Sequence, residues 1–166
     1  MTELVAGIAR VLDIVARAIC ALAGLLLAGS VLTIVVLRYG FGAGHIALQD
    51  LASYAFAVFL VFSVPVCLAR DGHVRVEVLS ERLGAAYARR ADQVAFVAFL
   101  LPVFGLAVWA YWPELSYSWR IGEASVETGG LPGLFLVKTA LPVAAVLTIV
   151  QGFAAIVAPV RRSDAA

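Results

Sequence analysis

Two charged residues lie inside long apolar runs: Asp50 in IALQDLASYAFAVFLVFSVPVCLA (46–69) and Lys138 in LPGLFLVKTALPVAAVLTIV (131–150). A charge at the centre of a lipid-crossing helix costs about 2.5–3.5 kcal/mol on insertion scales, so a residue of this kind is partnered or functional. Asp50 falls about one turn into its run and Lys138 about two turns into its own, counted from the same side. At that similar depth they could approach each other or face polar groups on another protein. The plain alternatives are that Lys138 stretches its aliphatic stem to the surface and that Asp50 caps the positive end of its helix.

Other chemistry fails on spacing. His45 and His73 could be axial haem ligands, but they bracket the second apolar run about 28 residues apart, or roughly 42 Å along a continuous helix. One haem cannot reach both unless the helix breaks. GGLPGLFLVKT (129–139) has the outline of a phosphate-binding loop, yet Pro132 and Val137 stand where glycines are required. Cys20 and Cys67 fall in apolar surroundings toward one leaflet and read as free, packed thiols. The sequence shows no metal-ligand cluster, nucleophile triad or basic patch for nucleic acid.

The elements that must position Asp50 and Lys138 follow from composition. With 63% hydrophobic and 14% charged residues in 166, and a mean hydropathy of +1.01, the chain needs lipid around it. Four apolar segments, 14–37, 46–69, 91–112 and 131–158, reach the ~20 residues that a bilayer crossing takes. The first is too long for a signal peptide, and Arg17 interrupts its start. The expected fold class is an all-α membrane protein of four transmembrane helices forming a single domain over 1–166. Pro65, Pro102 and Pro142 are expected to kink helices two, three and four.

Basic residues set an expected orientation. Arg10, Arg17, Arg70, Arg75, Arg82, Arg89, Arg90, Arg161 and Arg162 fall on one side of four crossings, leaving Arg38 and Arg120 on the other. Positive residues are retained inside, so both termini and the 70–90 connection are expected in the cytoplasm. Tyr39, Trp109, Tyr111, Trp112, Tyr117 and Trp119 gather at the opposite boundary as an interfacial aromatic belt. Within the charged connection Val76, Leu79, Leu83 and Tyr87 recur at helical spacing, which fits either a short interfacial helix or an ordinary charged loop.

Contacts between helices are also written in the chain. Ala140, Ala144, Thr148 and Gly152 make a ridge of small residues at four-residue spacing, and Gly24 with Ala28 a shorter one, allowing close backbone approach. The ridge could pack internally or against another subunit. No internal repeat or paired broken helices, the usual construction of a solute site in a secondary transporter, are present in the sequence.

RYGFG (38–42), ALQDLASYAF (47–56), DGHVRVEVL (71–79), SWRIGEASVETGGLP (118–132), Lys138, Leu141-Pro142 and Gln151-Gly152 occur in an order and spacing that resemble a known family. That family is the small, DctQ-like (Q-type) membrane subunit of tripartite ATP-independent periplasmic (TRAP) transporters, and within it the subgroup labelled for mannitol and chloroaromatic compounds. The similarity spans roughly residues 20–155. In one departure, Ala47-Leu48-Gln49-Asp50 offers one acid and no Trp where many relatives have a Trp and two acids.

The resemblance implies a three-part importer in the bacterial inner membrane. A periplasmic solute-binding protein captures an organic acid or related solute, and a large membrane subunit carries it using a sodium gradient. The small subunit supports the large one, is not an enzyme and binds no cofactor itself. Its partners would be the large subunit, the binding protein and membrane lipid, with no nucleic acid. Candidate contact or structural residues are Arg38, Asp50, His73, Arg75, Glu77, Glu123 and Lys138; for Arg38 a structural anchor, and for Glu123 with Glu127 a solvated loop, are the plain readings. Two further hypotheses are a membrane anchor of a haem- or quinone-linked redox complex and an independent four-helix carrier.

Overall fold

A computed structural model describes residues 2–70 and 85–157. The expected interfacial helix at Val76, Leu79 and Leu83, and the candidates His73, Arg75 and Glu77, lie outside the described residues. Helix α1 runs over Thr2–Phe41 and α2 over Ile46–Ala69. Next come α3 (Ala85–Ala95), a π turn (Phe96–Leu100) and α4 (Leu101–Ile121), with α5 (Leu134–Val157) last. Four stretches are long and apolar enough to cross a membrane: Gly7–Phe41, Ile46–Ala69, Arg90–Ile121 and Leu134–Val157. The described residues are thus those of an all-α membrane protein with four such helices.

Two of these helices outrun their apolar segments. No proline interrupts residues 2–41, so α1 is unbroken for 40 residues, about 60 Å. Inside it Asp13 and Arg17, one turn apart, form a 2.8 Å ion pair that offsets the two charges. Gly42, with φ 64°, ends α1, and the Ala43 N–H donates to the Leu37 carbonyl at 3.0 Å. The third crossing, expected to end near Trp112, continues through Pro113 to Ile121. The aromatic residues Tyr117 and Trp119 therefore sit on a helix rather than in a connection.

Pro102 does not simply kink the third crossing. It has no N–H to give and its ring crowds the preceding turn. The chain answers with a π turn, in which the Leu101 N–H reaches back to the Phe96 carbonyl and the helix widens just before the proline. Pro65 and Pro142 are buried inside α2 and α5.

Packing runs α1–α2–α5–α4, and α1 also touches α5; α4 meets α5 and the π turn but neither α1 nor α2. Accordingly half of the most apolar stretch of α5 is buried and none of that in the third crossing. The core gathers Ala16 of α1, Phe62 of α2 and Ala140 and Leu147 of α5, with Ile19, Val58 and Val66 around them. The small-residue ridge faces inward: Ala140, Ala144, Thr148 and Gly152 are all buried. A Cβ on Gly152 would come within 3.0 Å of the Phe96 ring, and one on Gly24 within 3.3 Å of Phe59, so both glycines set how closely two helices approach. Gln151 adds a buried bond from its Nε2 to the Ala9 carbonyl at 2.9 Å, joining α5 to α1.

Candidate functional site: a loop clamped from both sides

The connection from α4 to α5 is short and shaped by glycines. Gly122 adopts φ 59°, and the Glu123 N–H donates to the Ser118 carbonyl at 3.1 Å while the Gly122 N–H reaches Trp119. This pair of bonds closes α4 in a Schellman motif, a geometry that glycine takes without a Cβ penalty. The loop then folds on itself: the Ser125 N–H donates to the Leu131 carbonyl at 3.0 Å, Ala124 bridges to Pro132, and the Gly130 N–H donates to Glu127. Gly129 and Gly133 both have positive φ, at 86° and 93°. The tip is left open, with Val126 95% exposed and Glu127 exposed beside it.

Asp50 and Tyr54, one turn apart on α2, hold this loop at Leu131. Asp50 Oδ2 accepts the Leu131 N–H at 2.9 Å, and the Tyr54 hydroxyl donates to the Leu131 carbonyl at 3.1 Å. Asp50 is thus spent on another element's backbone rather than on capping α2, whose N-cap His45 makes no side-chain cap bond. Gly130 makes the approach possible, because a Cβ there would collide with Asp50 Oδ2 and Ser125.

Lys138 holds the other side. From the first turns of α5 its Nζ donates to Glu123 Oε2 at 2.6 Å and to Glu114 Oε1 at 2.9 Å. The structure therefore does not pair Asp50 with Lys138, nor does it leave Lys138 stretched to the surface. Both residues act on the 122–133 loop from different helices. The Lys138 ammonium, followed by the Ser118 hydroxyl, holds the Glu123 carboxyl below the ordinary carboxylate range. Ser118 is fully buried, and its Oγ falls short of full hydrogen-bond geometry to any partner. A third tie joins the helices near the loop: Trp119 Nε1 donates to Thr139 Oγ1 at 3.0 Å, and its ring meets Phe135 edge-on at 4.8 Å.

Of the remaining candidates, Arg38 lies exposed in the last turn of α1, lining a hollow of about 290 Å³ with Leu37, His45 and Gln49. It stands apart from the clamp. Sequence reasoning missed Tyr54, Glu114 and Gly130. Tyr54 had a usable signal, since it follows Asp50 by four residues and so shares its helix face. Glu114 was hidden by the expectation that the helix ends at Trp112.

Among the described residues no group of three or more His, Cys, Asp or Glu side chains is placed to hold a metal. Cys20 and Cys67 are free. What the arrangement does is mechanical: two intramembrane polar residues fix a loop whose tip faces outward. Against protein families, the chain matches the DctQ component of tripartite ATP-independent periplasmic transporters over residues 27–162. A comparison with individual curated proteins gave no significant match. With most of its length matched, and its four apolar helices in place, the chain belongs to the DctQ family, components of tripartite transporters rather than enzymes.

Proposed function

We propose that this chain is the small permease subunit of a TRAP transporter, bracing a large membrane subunit that takes up an organic acid or related solute on a sodium gradient. A periplasmic solute-binding protein delivers the solute, and this chain itself binds neither cofactor nor solute. Both termini face the cytoplasm, and the clamped loop faces the periplasm, where Val126 and Glu127 are available to the binding protein. Its sequence pattern resembles the subgroup labelled for mannitol and chloroaromatic compounds.

The observation that carries this reading is where the intramembrane polar groups are spent. Asp50 and Lys138, the residues a carrier would need for solute or coupling ion, are both engaged in fixing the chain's own loop. Expressed with its companion subunit and purified in mild detergent, the tagged chain brings the companion down. Recovery of this chain alone from membranes containing both would contradict the reading.

A further inference from the structure

The Lys138 cluster does not balance. One ammonium serves two carboxylates, leaving one negative charge over. The excess sits at Glu114: its bond is longer, 2.9 against 2.6 Å, and its side chain is 55% exposed against 23% for Glu123. Glu114 projects from a helix that, among the described residues, packs only against α5 and the π turn. A carboxylate exposed in this way, sharing its one ammonium with a second acid, is further stabilised by another cation.

The surface around Glu114 has the form of a helix seat. Val103, Ala107, Ala110 and Glu114 follow at spacings of four, three and four residues, so they share one stripe of α4, and all are exposed. Two alanines in its middle permit close backbone approach. At its far end the stripe runs into a cavity of about 470 Å³ lined by Leu68 of α2, Asp92 of α3, Phe96 of the π turn, Val103 of α4 and Gly152 of α5. Because α2 and α4 both lie against α5 without touching each other, the Val103 end of the stripe borders an open furrow, with Leu68 of α2 across it. A lipid tail would meet the Asp92 carboxylate at that end and leave the Glu114 charge unanswered.

We propose that this furrow seats a membrane-crossing helix of the large companion subunit, and that this helix brings an Arg or Lys to Glu114. The proposal rests on the small-subunit reading and specifies its docking face. The test uses the co-expressed complex, with a photo-crosslinking amino acid placed at Ala110 or, on the opposite flank of α4, at Trp112. Ala110 is expected to cross-link to the companion and Trp112 not to. Glu114→Lys is expected to cut recovered companion roughly tenfold, with Glu114→Gln between it and wild type. Full recovery with Glu114→Lys, or cross-linking from Ala110 only to lipid or to a second copy of this chain, would overturn the seat while leaving a wild-type complex intact. A wild-type chain that recovers no companion would instead overturn the subunit reading itself, and the seat with it.

Discussion

Leu131 is held through both its backbone groups, its N–H by Asp50 and its carbonyl by Tyr54, and these two bonds fasten one side of the loop to α2. Gly130→Ala forces a methyl against Asp50 and Ser125. Overpacking of this kind costs on the order of 1–3 kcal/mol, and faster proteolysis within 124–129 in detergent-solubilised protein is the expected sign. Acid should loosen the same loop. The folded-state pKa of Glu123 lies below its ordinary value of 4.5. The unfolded chain therefore takes up a proton first as pH falls, and the stabilisation, fully present above that value, is lost as pH drops through the folded-state pKa. Melting temperature should stay level near neutrality and decline below about pH 4.5, with a shallower decline in Glu123→Gln. Replacing Lys138 with Met leaves Glu114 and Glu123 facing each other without a cation, and should lower melting temperature and co-purification together.

Helix existence was legible in the chain and helix arrangement was not. Hydropathy finds the four crossings because each is apolar over a bilayer's width, but lipid-facing and protein-facing surfaces are equally apolar, so it could not place α5 at the centre. The Ala140–Gly152 ridge carried that information in its small residues, though whether it faced inward awaited the structure. The third helix was cut short at Trp112 because Pro113 and Glu114 look like an end; the true stop is Gly122, which provides the left-handed residue. Asp50 and Lys138 stood out by their cost in lipid. The Leu131 backbone did not, because a main-chain partner leaves no mark in residue type. At this scale Gly152→Val tests the packing: its side chain meets Phe96 and Leu100, and an apparent stability loss of about 1–3 kcal/mol in thermal or denaturant unfolding is expected.

Among the described residues α1, α2 and α5 pack on one another and α4 joins them through α5 alone, so the four crossings do not close into a bundle. The third crossing meets α5 and no other crossing, and both it and α1 present long apolar faces outward. Such a shape suits a part that lies along something larger. Asp50, Tyr54 and Lys138 are all spent on the 122–133 loop. The most direct test is solute uptake in sealed vesicles with an imposed sodium gradient, comparing this chain alone, the large subunit with the binding protein, and all three together. Uptake only when all three are present is the expected result; accumulation of solute in vesicles holding this chain alone would contradict it.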